Sequence, residues 1–65
     1  MTFTAWLIER VDMGYPTYWD GYSMTDNIEK AVLFQHKSTA QRIIDKRRGE
    51  WGRASMRATE HQFLS

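Results

Sequence analysis

No cysteine occurs in the chain, and at this length that omission is the tightest constraint on what it can fold into. Sixty-five residues are enough for one domain, spanning 1–65, and for no second one. A domain so small buries only about 60% of the surface its unfolded chain exposes. Disulfides, thiolate metal sites and cysteine nucleophiles are all excluded. Stability therefore has to come from a dense core or from a partner subunit. Three Trp, three Tyr and three Phe are the material for such a core, since each ring can bury about 150–250 Å².

Apolar patterning places those rings on a small number of elements. Residues 3–11 are rich in bulky apolar types and read as a strand. Phe3, Ala5, Leu7 and Val11 fall on one face, Trp6 and Ile8 on the other, as expected of a strand covered on both sides. Gly14 and Pro16 mark a turn. Residues 17–24 read as a second strand, with Tyr18, Asp20 and Tyr22 on one face and Thr17, Trp19 and Gly21 on the other. The short connection predicts an antiparallel hairpin, and Gly21 inside the run predicts a bulge or a close approach to the backbone.

Asp26 and Glu29 have capping-box spacing, which predicts a short helix across Ile28, Ala31, Val32 and Phe34. Ser38 and Gln41 form a cleaner box. The helix they open sets Ala40, Ile43 and Ile44 on one stripe; Lys46, Arg47 and Arg48 lie in its last turn, with Gly49 as its stop. Residues 53–63 alternate again, with Ala54, Met56 and Ala58 inward and Arg53, Arg57 and His61 outward. The expected fold is α+β: a three-stranded antiparallel sheet with one main helix packed across a face. The order is β-β-α-α-β, and the first helix is short.

The net charge of +1 hides an asymmetry. Residues 1–36 carry five acids against two bases, and residues 37–57 carry seven bases against two acids. A basic C-terminal half suits an anionic partner; a helix and a strand that turn their charged faces to water explain the same residues. No apolar run approaches the roughly 20 residues a bilayer span needs, and Met1 to Trp6 does not read as a signal peptide. A protein of the cytoplasm that meets no membrane is expected.

The residues for catalysis are sparse. His36 and His61 show no helical metal-pair spacing, and no serine sits in a nucleophile motif. Asp20 and Glu9 are the one pair that a hairpin could set face to face, without the enclosing pocket that acid–base work requires. No enzyme, cofactor or metal site is expected. Binding is the better supported reading, on two sets of residues. Tyr15, Tyr18, Asp20 and Tyr22 lie in an aromatic-rich stretch whose rings cannot all point inward, and tyrosine is enriched at protein–protein hot spots. Trp19 in the same stretch is expected in the core. The second set, Arg47, Arg48, Arg53 and Arg57 around Trp51, suits phosphate contacts with base stacking; a helix end followed by a core Trp explains the same residues. Exposed strand edges also invite a homodimer.

Trp6-Leu7-Ile8-Glu9, Tyr18-Trp19-x-Gly21, Asp26-x-x-x-Lys30-Ala31-x-x-Phe34 and Ser38-x-Ala40 together resemble a recurrent type of small phage-encoded protein. The resemblance covers residues 5–45, and its motifs are mostly structural. It carries over no catalytic residue. It implies an accessory phage product in the host cytoplasm. Such a product would be a protein-binding inhibitor of a host complex, either a defence system in the manner of an anti-CRISPR or a nucleic-acid-processing assembly. A small nucleic-acid-binding protein that uses its basic half is the alternative.

Overall fold

The computed structural model describes residues 1–52 and 55–64. Four strands occur among them: β1 (Thr2–Arg10), β2 (Thr17–Trp19), β3 (Met24–Thr25) and β4 (Met56–Leu64). A 3₁₀ turn at Ile28–Lys30, helix α1 (Lys37–Lys46) and the short helix α2 (Arg48–Trp51) separate β3 from β4. The sheet is antiparallel in the order β3-β2-β1-β4. The α+β class, the first hairpin and the main helix across one face agree with the sequence. The strand count and the helix order do not. The described residues hold four strands, not three. The expected short first helix is only a 3₁₀ turn, and the short α-helix follows the main one instead of preceding it.

β1 organises the sheet. Its nine residues pair with β4 without a break, from Thr2 opposite Leu64 to Arg10 opposite Met56. On its other side β2 reaches only Glu9 and Arg10. The gap this leaves is filled by Phe34, which exchanges two backbone hydrogen bonds of 2.8 Å with Trp6. One apolar cluster lies on the α1 side, where Ile8 and Trp19 meet Ala40 and Ile44, with Phe34, Trp51, Met56 and Ala58 packed around them. The other lies on the far side, where Leu7 and Tyr18 are covered by Ala31, Ile28 and Phe63. Met56 and Ala58 face the helix as expected; Arg53 and Ala54 lie outside the described residues.

The extra strand arises at Asp20. A single strand over 17–24 was expected, but Oδ1 of Asp20 accepts the N–H groups of Tyr22 and Ser23 at 2.9 and 2.6 Å. The Asp20 N–H reaches the Ser23 carbonyl at 2.9 Å. These bonds reverse the chain over Gly21 and Tyr22, so Met24 returns opposite Trp19 as β3. Gly21 has φ +97°, the positive value that two-residue hairpin connections require at their first position. The close approach expected there is real: a Cβ on Gly21 would sit 3.2 Å from Cγ2 of Val32.

The expected helix boundaries need correction as well. Asn27, not Asp26, caps the 3₁₀ turn, its Oδ1 accepting the Glu29 N–H at 3.0 Å. The turn ends after Lys30 because Ala31 is extended, and from Ala31 the chain runs beside β2 and β1 with Val32 bonded to the Trp19 carbonyl. α1 begins at Lys37 behind His36, without a side-chain cap, so Ser38 lies inside it. Its pinned approach through Phe34 sets that start. Gly49 does not stop the helix. It lies in α2, a further turn that carries Trp51 to the core, and Gly52 with φ +59° ends that turn.

No helix among the described residues is long and apolar enough to cross a membrane. The two glycines give opposite expectations. Gly21→Ala destabilises the protein by about 1–2 kcal/mol, because a side chain there is strained and crowds Val32. Gly49→Ala, in a helical position with nothing within 4 Å, stabilises by about 0.5 kcal/mol. Urea unfolding of the two variants checks both signs.

Candidate functional site

The residues that sequence pattern singled out for binding do not form one surface. Tyr15 lies in the 11–16 loop at one end of β2 and Tyr22 in the turn at the other, both with exposed rings. Tyr18, between them, turns inward. It sits over Leu7 beneath Ala31, with the His61 ring edge-on at 6.0 Å. Burial first, and the Glu9 carboxylate second, hold its phenol above the ordinary tyrosine range. Tyr18 therefore offers a partner little surface.

Tyr22 is the opposite case, 96% exposed. Its backbone is nevertheless held in place, because Oδ1 of Asp20 accepts the consecutive N–H groups of Tyr22 and Ser23. Those bonds hold the Asp20 carboxyl below its usual range. Asp20 is thus the support of the turn, and the ring beside it is presented on a rigid base.

The basic residues divide too. The guanidinium of Arg47 lies 5.0 Å from the Trp19 ring centre and 5.9 Å from that of Trp51, an arrangement favourable for cation–π attraction. It also pairs with Glu50 at 2.7 Å. Arg48 pairs with Asp45 at 2.8 Å. Arg57 faces the other side of the sheet, opposite Glu9. Arg53 lies outside the described residues. Trp51 packs edge-on against Trp19 at 6.1 Å, within the core as one sequence reading had it.

Sequence reasoning missed one polar cluster. Glu9 meets not Asp20 but two β4 residues: Thr59 donates to Glu9 Oε1 at 3.0 Å, and His61 Nε2 lies 3.1 Å from both. The hairpin reading sets Glu9 against Asp20, and only the β1–β4 register could bring it to His61. Both contacts use one ring nitrogen. A nucleophilic relay uses the two imidazole nitrogens separately, so these three groups satisfy one another instead of forming a relay. Among the described residues, no group of three His, Cys, Asp or Glu side chains is placed to hold a metal ion.

Apolar surface gathers at the far end of the sheet. Phe3 stacks on Phe63 at 5.5 Å, and with Ile28, Leu33 and Leu64 these rings line an open cleft of about 510 Å³. The chain matches no protein-family model, no curated protein and no solved structure.

The turn at 20–23 has a pH signature. The folded-state pKa of Asp20 is depressed, so its contribution to stability is present above the unfolded value of about 3.9 and is lost as pH falls through the folded one. Asp20→Asn is expected to flatten the loss of stability below about pH 4 relative to wild type. Amide chemical shifts of Tyr22 and Ser23 followed by NMR should report the same titration in the wild type and lack it in the variant.

Proposed function

We propose that the protein acts without catalysis, by binding another protein, and that the turn at 20–23 is its anchor. The observation that carries this reading is the Tyr22 ring, almost wholly exposed on a backbone already fixed by Asp20. A tyrosine offers large contact area with one polar tip. A turn ordered in advance loses little conformational entropy on binding. Asp20 completes the anchor; Tyr15 is exposed at the opposite end of β2, and Tyr18 is turned into the core against Leu7 and Ala31.

The partner we favour is a host protein in the host cytoplasm, with the chain as a phage-encoded inhibitor of a defence or nucleic-acid-processing complex. The support is the resemblance of residues 5–45 to small phage-encoded proteins, together with a surface that obstructs without chemistry. The polar cluster of Glu9, Thr59 and His61, closed on itself, agrees with a non-enzymatic role. Nucleic-acid binding through the arginines has weaker support. Arg47 and Arg48 are engaged by Glu50 and Asp45, and Arg57 faces away from them.

Affinity capture from bacterial lysate, with wild type and Tyr22→Ala side by side, tests the reading. A protein retained by wild type should bind Tyr22→Ala at least about tenfold more weakly, while circular dichroism of the variant is unchanged. Equal retention by the two overturns the anchor. Titration with single- and double-stranded DNA at low salt should give no binding; salt-sensitive binding there would favour the arginines instead.

A further inference from the structure

At the edge of the sheet opposite Tyr22, β4 leaves one full row of backbone groups unpaired. Hydrogen bonds in an antiparallel sheet alternate sides from one residue to the next. Trp6 bonds toward Phe34, and Val11 bonds toward Ser55. The odd-numbered residues of β1 therefore point their backbone at β4, and through the register they engage Arg57, Thr59, His61 and Phe63. Ala58, Glu60, Gln62 and their even-numbered neighbours point outward, and no described residue bonds to them. Natural edges are usually shortened, bulged, blocked by Pro or set with charged side chains. β4 runs unbroken for nine residues without Pro or bulge, its charges being Arg57 and Glu60 alone.

We infer that this edge pairs with β4 of a second copy of the chain, antiparallel about a two-fold axis. The interaction goes beyond the Tyr22 reading and uses the other end of the sheet. Pleat and two-fold symmetry allow only registers that set outward residues against outward residues. One of these places Glu60 against itself, and like charges directly opposite are unfavourable. Another places Arg57 against His61. In the register centred on His61, the two His61 rings lie opposite each other, each beside its own Glu9 carboxylate; Glu60 faces Gln62 of the second copy twice over, Ala58 faces Leu64, and Thr59 faces Phe63. Carboxylate then meets amide. Leu64, 86% exposed in the single chain, gains an apolar neighbour. Each His61 stays bonded to its own Glu9 and Thr59. The product is a continuous eight-stranded sheet, within the span that open sheets adopt, and it supplies the partner subunit a chain of this size and composition calls for.

Sedimentation velocity of the full chain, from about 10 to about 500 μM, should show the 7.7 kDa monomer giving way to a species of twice that mass. Gln62→Pro removes only an outward N–H, which an edge strand tolerates, and should stay monomeric with unchanged circular dichroism. Gln62→Glu sets a carboxylate against Glu60 and should weaken the dimer about fivefold, whereas Gln62→Lys should tighten it by a similar factor. Hydrogen exchange at Ala58, Glu60 and Gln62 should slow as concentration rises, while Thr59 and His61 stay protected throughout. A monomer at every concentration overturns the inference, as does a folded Gln62→Pro that still dimerises. If Gln62→Pro unfolds, equal affinities for Gln62→Glu and Gln62→Lys overturn the register. Tyr22→Ala should dimerise like wild type, which separates this result from the fate of the anchor.

Discussion

Leu7 and Ile8 are neighbours in sequence, point to opposite faces of β1 and are both fully buried. A strand can bury two consecutive side chains only if each face is covered and each edge is paired. Both conditions are met here by different parts of the chain. α1 brings Ala40 and Ile44 to the Ile8 side. On the Leu7 side, where there is no helix, Ala31 and Ile28 from the turn after β3 take its place. β4 pairs along the whole length of one edge, and β2 with Phe34 divides the other. The stretch from residue 26 to residue 35, neither strand nor α-helix for most of its length, makes sense only as cover and edge for β1.

That dependence explains what the sequence disclosed and what it concealed. The two apolar faces of β1, the Ala40–Ile44 stripe and the inward Met56 and Ala58 are periodic signals, and periodicity is legible one segment at a time. The cap at Asn27 in place of Asp26, the uncapped start of α1 and the continuation through Gly49 were not legible. Each is decided by where a distant residue must land: Ala31 on Leu7, Phe34 on Trp6, Trp51 on Trp19. The turn at Asp20 was a different failure. Asp-Gly is local turn chemistry, and the aromatic run around it read as uninterrupted strand. Of the candidate site, the exposed Tyr22 and the role of Trp51 in the core followed from composition. The burial of Tyr18 and the meeting of Glu9 with His61 required the register.

The two edges of the sheet are finished in different ways. At one, β3 is two residues long and turns at once into the 3₁₀ segment, so few backbone groups remain open and a single exposed ring projects from the adjoining turn. At the other, β4 presents a long even row of donors and acceptors. A sheet ended so unequally is suited to two contacts of different kind, one made by a side chain and one by backbone. If both are made, two copies joined through β4 hold their Tyr22 rings at the far ends of one rigid plate. A partner with two sites at that span would be gripped twice, with avidity beyond either contact alone.

The pairing of Thr2 with Leu64 also sets an order of events. β1 leaves the ribosome before its longest pairing partner, β4, which lies more than forty residues further along. Until residue 64 has emerged, the backbone of β1 has no β4 to bond, and Leu7 and Ile8 lack a complete sheet around them. Sheets closed by such distant segments fold at the slow end of the small-domain range, about milliseconds to seconds. Synthesis at about 5–20 residues per second leaves the strand waiting for seconds before that. The apolar β1 segment is therefore open to aggregation or to a chaperone for that interval while the chain is being made.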